Sequence, residues 1–297
     1  MGKGTRNRAQ SARQRIAEQQ AAARRAERRR QGLLAGGIVV VVLAVVAVFI
    51  VIKVNSGGSS STTASGGVTG TLLPASVDKN VTTVPDSALQ AVGTGSVLSY
   101  NPKPITKISG TTLTSAGKPE MLYIGAEFCP YCAAMRWSMA VALSKFGTLS
   151  PLHGIHSSST DTDPSTPTLT FYKSSYTSKY LTFTPVENET VTHAPLVSTT
   201  SAQQAIWVKY SPPNELGYPF IDFGNKYLIN GPDYDPAVLS GLTWTQVSQQ
   251  MRDPSSAVAK GVLGAANYIT AAICKMTGNA PSNVCSAPSV TAMSGHL

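Results

Sequence analysis

The chain has 297 residues, 42% of them hydrophobic, and its formal net charge at pH 7 is +9. The first 30 residues carry ten Lys or Arg and two Glu, which leaves +8 there, and Lys53 adds one more charge. Residues 54–297 balance 13 basic against 13 acidic side chains. This balance of charges excludes a basic nucleic-acid-binding surface on residues 54–297, because such a surface needs clustered Lys and Arg.

Residues 1–32 are predicted to be a basic cytoplasmic segment, followed by a membrane-spanning helix at 33–53. Residues 33–52 contain no charged side chain, and twenty helical residues rise about 30 Å, the thickness of the hydrocarbon core. The alternative is a cleaved signal peptide. Because basic segments stay on the cytoplasmic side, we expect a single-pass cell-membrane protein, held in lipid by this helix, with its C-terminal part outside.

Residues 54–74 are predicted to be a flexible linker, since residues 55–70 are rich in Gly, Ser and Thr. Residues 75–297 are long enough for one extracytoplasmic domain with a full core. All four cysteines fall in that part, which agrees with an oxidising compartment.

The pattern of the outer domain mixes strands and helices. We expect a short helix at 86–92, a strand at 121–124 and a helix from 130 to about 146. Residues 153–167 are predicted to be a loop, with strands at 168–172 and 180–186. Further elements are a helix at 200–210, a hairpin within 218–229 that turns at Gly224-Asn225, and helices at 243–251, capped by Thr243, and at 255–275.

The segment Cys129-Pro130-Tyr131-Cys132 follows the predicted strand and begins a helix. Two cysteines at this spacing can alternate between dithiol and disulfide, and the helix N-terminus favours a thiolate. We expect Cys129, nearer the helix start and more exposed, to be the nucleophile and Cys132 to resolve the mixed disulfide. Half of a zinc site and a purely structural disulfide are the alternatives.

Three neighbours of the pair are candidate supporting residues. Pro130 suits the first helical turn, and Pro130 and Tyr131 would tune the stability of the thiolate. Glu127 is expected to be a solvated carboxylate at the strand end; if buried, it would instead relay a proton to Cys132.

Cys274 and Cys285 are predicted to form a structural disulfide that holds the C-terminal helix. A second redox pair that relays electrons to Cys129 and Cys132 is the alternative. No cofactor is expected beyond the redox-active cysteine pair, and no metal: His153 and His156 are interpreted as surface residues rather than metal ligands.

The order of strand, Cys-x-x-Cys, helix, strand, helix, proline-led hairpin and helix resembles the thioredoxin superfamily. The resemblance implies an α/β, thioredoxin-like three-layer fold with a long insertion, after the one N-terminal transmembrane helix. It also implies that Pro219 is the family's cis-proline beside the cysteine pair. The backbone of Tyr218 would then offer hydrogen bonds to an extended substrate, while Pro219 has no N–H to present.

Longer blocks are similar to the domain-of-unknown-function family 929 of archaea and actinobacteria. They begin at Tyr123 (YIGAEFCPYCAA), Phe171 (FYKSSY), Tyr218 (YPFIDFGN) and Asn267 (NYITAAIC). We therefore expect a membrane-anchored thiol–disulfide oxidoreductase that acts on extracytoplasmic protein thiols and disulfides and needs a membrane redox partner, without nucleic acid. The alternative is a non-enzymatic binding module of the same fold with structural disulfides.

Overall fold

The structure is a computed structural model that describes residues 69–213 and 215–297. The predicted basic segment, the predicted transmembrane helix and most of the predicted linker lie outside the described residues. The described part is a mixed α/β domain with several sheets. Its strands are β1 Thr71–Leu72, β2 Thr106–Lys107, β3 Thr114–Ser115, β4 Lys118–Gly125, β5 Gly147–Ser150, β6 His153–His156, β7 Pro167–Thr170, β8 Ser175–Ser178, β9 Thr182–Glu187, β10 Phe220–Phe223 and β11 Tyr227–Asn230.

The helices differ widely in length, from one turn to 20 residues. They are α1 Ala75–Thr82, α2 Asp86–Val92, α3 Val97–Tyr100, α4 Pro130–Ser144, α5 Ser201–Tyr210, α6 Trp244–Gln250, α7 Ala257–Met276, α8 Ser282–Cys285 and α9 Pro288–Met293, with 3-10 turns at Pro236–Leu239 and Ser294–His296. Capping boxes begin α5 at Thr200 and α6 at Thr243, so the predicted Thr243 cap is confirmed.

The main sheet is organised around β4, which runs antiparallel to β10 and parallel to β9. Strand β11 pairs with β10 and with the short β2, and β3 pairs with the first residues of β4. The predicted hairpin between β10 and β11 is confirmed. Its turn contains Gly224 and Asn225, both at positive φ, which these residue types tolerate best.

Helices cover both faces of the main sheet. Met121 and Tyr123 of β4 face the larger core, which contains α4 and α7. Leu122 and Ile124 face a smaller cluster with Trp207 of α5. This alternation follows from the two-residue period of a strand and explains why β4 is apolar at every position from 121 to 124.

The longest helix, α7, packs against α4 in the centre of the domain. Within the part of the chain that the structure describes, α7 is the one helix long and apolar enough to cross a membrane, and 89% of its most apolar window is buried among other residues. A helix that is apolar on most of its surface must be buried, and α7 is buried in the core against α4.

Two sequence predictions differ from the structure. Residues 153–156, predicted as the start of a loop, form β6, which pairs with β7. Residues 71–72, placed in the linker, form β1 and pair with β6, so residue 74 is too late a boundary for the folded domain. β1 has only two residues and β6 contains Gly154 between polar ends, so both strands depend on pairing with their neighbours rather than on their own propensity.

Candidate functional site

The two central cysteines lie where β4 ends and α4 begins. Cys129 occupies the N-cap position of α4, and Pro130 is the first residue of the helix. The Cys132 backbone N–H donates a hydrogen bond to Cys129 Sγ over 3.2 Å. A sulfur at this position replaces the usual capping oxygen and meets the positive end of the helix dipole.

Both cysteines are free thiols, and they differ in their tendency to ionise. Burial raises the pKa of Cys129, but hydrogen bonds from the thiol and backbone of Cys132, together with the charge of Arg136, outweigh it and leave the pKa below its ordinary value. Burial, the hydrogen bond with Cys129 and the charge of Cys129 hold the pKa of Cys132 well above its ordinary value. Cys129 is therefore the more readily ionised thiol of the pair.

Aromatic side chains cover the pair. Cys129 is 4% exposed and Cys132 is fully buried, so Cys129 is the more accessible sulfur by a small margin only. Phe128, Tyr131 and Tyr218 pack on the cluster that the cysteines form with Ala126. Phe128 also stacks on His193, with ring centroids 4.0 Å apart. These rings leave little of either cysteine open to solvent.

The residues predicted from the hairpin lie at the same place. Tyr218 packs against the cysteine cluster, and the Tyr218–Pro219 peptide bond is cis. Tyr131 and Tyr218 line a groove of about 260 Å³, together with Gly231 and Pro232 after β11.

Glu127 is buried, with 1% of its surface exposed, so the expectation of a solvated carboxylate is wrong. Its Oε1 accepts hydrogen bonds from the hydroxyls of Thr170, over 2.7 Å, and Thr69. Burial raises the pKa of Glu127, and these two hydrogen bonds oppose that rise. The carboxyl therefore lies in the protein interior with two hydroxyl donors.

A charged pair that the sequence reasoning missed lies beneath the cysteines. Arg136 Nε donates to Glu187 Oε1 over 2.8 Å, and Arg136 Nη2 donates to Glu187 Oε2 over 2.7 Å. Both side chains are buried. The available signal was Arg136 itself, a single charge in the otherwise uncharged stretch of α4; nothing in the sequence points to Glu187 as its partner.

The hydroxyl of Tyr123 is a second feature that sequence reasoning missed. It is completely buried beside Cys132, without the geometry of a hydrogen bond to any described residue. Burial first, and then the neighbouring thiol, keep the pKa of Tyr123 well above its ordinary value. A Cβ added to Gly125 would lie 2.1 Å from this hydroxyl, so glycine is required there.

A family model described as "Domain of unknown function (DUF929)" matches residues 104–215 and 198–275, which is more than half of the chain. The chain belongs to the DUF929 family. The resemblance seen in the sequence blocks is thereby confirmed. The matched span includes Cys129, Cys132, Arg136, Glu187 and Pro219, so the cysteine pair and the buried ion pair lie within the family's region.

A second model, described as "Inhibitor of host cell division protein domain", matches residues 10–64, less than half of the chain and outside the described residues. No curated protein matches this DUF929 chain. No solved structure matches it either.

The other two cysteines of the DUF929 chain, Cys274 in α7 and Cys285 in α8, are joined by a disulfide with Cα atoms 5.5 Å apart. They belong to the large core, whereas Cys129 and Cys132 belong to a separate cluster. Residues 69–213 and 215–297 contain no group of three or more His, Cys, Asp or Glu that could hold a metal ion. His156 stacks on Trp244, with ring centroids 5.0 Å apart.

Proposed function

We propose that this DUF929 chain is a membrane-anchored, extracytoplasmic thiol–disulfide oxidoreductase that exchanges disulfides with other proteins through Cys129 and Cys132. The observation that carries the proposal is the 3.2 Å hydrogen bond from the Cys132 N–H to Cys129 Sγ at the start of α4. It favours the anionic form of the sulfur that must attack. The membrane anchor rests on the uncharged stretch at residues 33–52.

We include a thioredoxin-like fold in this proposal. Its support is the order of elements: β4 leads into the cysteine pair and α4, and Pro219 directly precedes β10, which pairs with β4. Tyr218 brings the segment before Pro219 to the cysteine cluster. In such a fold, the long insertion falls within residues 150–215, between α4 and the hairpin.

The exchange proceeds in two steps in the dithiol state. Cys129 thiolate attacks one sulfur of a substrate disulfide, forming a mixed disulfide and releasing the other substrate sulfur as a thiolate. Cys132 then loses its proton to solvent and attacks Cys129 Sγ, which forms the Cys129–Cys132 disulfide and releases the second substrate thiolate. The substrate gains two electrons, which the cysteine pair loses. The reverse steps oxidise a substrate dithiol, and a membrane redox partner carrying a dithiol or disulfide restores the pair.

The test uses the full-length chain purified in detergent, a disulfide-bonded model protein as substrate and a small dithiol as reductant. Cys129→Ser should abolish turnover, and Cys132→Ser should accumulate a mixed disulfide with the substrate. The matched control, Cys274→Ala with Cys285→Ala, removes the other pair and should retain turnover. Full activity in Cys129→Ser would exclude the proposal.

One observation favours the alternative, a non-enzymatic binding module: both sulfurs are buried. The reduction potential of the Cys129–Cys132 pair separates the two functions. An exchanging enzyme should have a potential above about −270 mV, whereas a structural disulfide should lie below about −300 mV.

A further inference from the structure

Arg136 is one helical turn beyond Cys132 in α4, and its side chain is completely buried. Residues four apart lie on the same face of a helix, so the guanidinium is on the side of the helix that carries Cys132. Arg136 Nη2 donates to the Ala126 carbonyl over 2.6 Å. Ala126 in turn belongs to the cluster of Cys129 and Cys132. The cation is therefore tied to the segment that holds the cysteines.

Glu187, the last residue of β9, holds the guanidinium from the other side. Its two oxygens accept from Nε and Nη2, and Oε1 also accepts from the Phe171 N–H over 3.3 Å. Arg136 Nη1, in contrast, is buried and has no hydrogen-bond partner among the described residues. The carboxylate thus fixes one edge of the guanidinium and leaves one amino group uncompensated.

Stability alone is a weak explanation for this arrangement. Removing two charges from water costs several kcal/mol per ion, and replacing a buried ion pair by apolar side chains of similar size is often neutral or stabilising. An unpartnered buried N–H group adds a further cost. A buried cation next to a pair of thiols does, however, favour the thiolate over the thiol.

We propose that Arg136, oriented by Glu187, is a positioning residue that favours the thiolate form of Cys129. This inference rests on the proposed function and specifies how the site prepares its nucleophile. Burial opposes ionisation of both cysteines, and the charge of Arg136 is among the effects that lower the pKa of each. The Ala126 carbonyl that accepts from Arg136 also accepts from the Cys129 N–H over 3.3 Å, so one acceptor links the guanidinium to the backbone of Cys129.

Other titratable groups face the same space and enter any pH dependence. Tyr123 comes from β4, Glu127 from the segment after β4, Glu187 from the end of β9 and Tyr218 from the segment before β10. Burial and the negative charge of Glu187 raise the pKa of Glu127, whereas the positive charge of Arg136 lowers it. The pKa of Glu127 remains above its ordinary value. Tyr123 stays neutral, so Arg136 is the cation of this group and Glu187 its counter-ion.

The experiment measures the rate at which iodoacetamide alkylates Cys129 in the reduced full-length chain as a function of pH, with the modified site identified by mass spectrometry. Arg136→Met with Glu187→Leu removes both charges and keeps the volume. The pH at which the alkylation rate is half of its maximum, the midpoint, should rise by about one pH unit or more in this double variant. Arg136→Lys keeps the charge and should leave the midpoint close to that of the parent chain.

Glu187→Gln should shift the midpoint in the opposite direction. It leaves the charge of Arg136 without its counter-ion, so the midpoint should fall. A purely structural role cannot move the midpoint in opposite directions in these two variants. The matched control is Asp86→Asn, which breaks the ion pair with Lys145 at the other end of α4 and should leave the midpoint unchanged.

A folded double variant with the midpoint of the parent chain would overturn the inference. If the double variant does not fold, Glu187→Gln decides: a lower midpoint supports the inference, and an unchanged or higher one overturns it. Alkylation does not depend on exchange with a substrate. If the proposed function is wrong, Cys129→Ser keeps full turnover, and this result is independent of the alkylation midpoints that test the role of Arg136.

Discussion

The side-chain amide of Asn188 donates a hydrogen bond of 3.0 Å to the hydroxyl of Tyr218. Asn188 directly follows β9, and Tyr218 directly precedes Pro219, so the bond joins two segments that reach the cysteine cluster from different strands. The Tyr218 ring is also stacked on Trp207, with centroids 5.2 Å apart. The rim of the groove beside Tyr131 is therefore fixed by side chains that are far apart in sequence.

Tyr218→Phe removes the hydroxyl acceptor and keeps the stacked ring. We expect exchange with a protein disulfide to slow by about fivefold, which corresponds to the roughly 1 kcal/mol of one hydrogen bond. Alkylation of Cys129 by iodoacetamide should keep its rate, because the small reagent does not use the groove. The control Tyr210→Phe removes a comparable hydrogen bond, to the Ser109 carbonyl, outside the cysteine cluster. Equal effects of the two substitutions would contradict this role for Tyr218.

Phe128→Ala removes the ring that packs on the cysteine cluster and stacks on His193. Aromatic pairs contribute about 0.5–1.5 kcal/mol each, so the covered state should weaken and modification of Cys129 by a bulky maleimide should accelerate up to about tenfold. His156→Ala breaks a similar pair with Trp244 and serves as the control. An unchanged maleimide rate in Phe128→Ala would show that this ring does not limit access.

Replacing Cys274 and Cys285 by Ala should lower the free energy of unfolding by about 2–4 kcal/mol, because the unfolded chain regains the freedom of the closed loop. Denaturant titration measures this change. Turnover per folded molecule should be retained, since the two cysteine pairs occupy different clusters. A folded variant without turnover would instead support an electron relay between the pairs.

Asp222 should make the domain less stable as the pH rises from about 4 to 6. Burial, opposed by the Asn225 N–H and reinforced by the charge of Glu120, raises the pKa of Asp222 to about 6. In this window the folded protein keeps a proton that the unfolded chain has released, so the contribution of Asp222 falls with rising pH and is lost above about pH 6. Two pKa units correspond to about 3 kcal/mol.

Asp222→Asn retains an oxygen acceptor for the Asn225 N–H, which lies 2.6 Å from Oδ1. The variant should therefore gain up to about 3 kcal/mol at pH 7 and lose this part of the pH dependence. Thermal unfolding from pH 4 to 7 measures both effects. Parallel stability curves for the variant and the parent chain would contradict the assignment to Asp222.

Local chemistry determined much of what the sequence predicted correctly. The N-terminus of α4 follows from Pro130, the start of α6 from Thr243, and the turn between β10 and β11 from Gly224 and Asn225. Each of these features depends on hydrogen bonds or dihedral angles of neighbouring residues, which a single sequence displays directly. The candidate cysteine pair was found for the same reason.

Only the tertiary structure decided which polar groups are buried and what they meet. The pairing of Arg136 with Glu187 spans 51 residues, and Glu127 is enclosed because Thr69 and Thr170 come from two other strands or their flanks. Likewise, β1 is a strand because it pairs with β6, which in turn pairs with β7. Burial and partner choice result from packing between distant segments. Local patterns therefore predicted Cys129 as the nucleophile. The pairing of Arg136 with Glu187 depends on the packing of α4 against β4 and β9, which local patterns do not show.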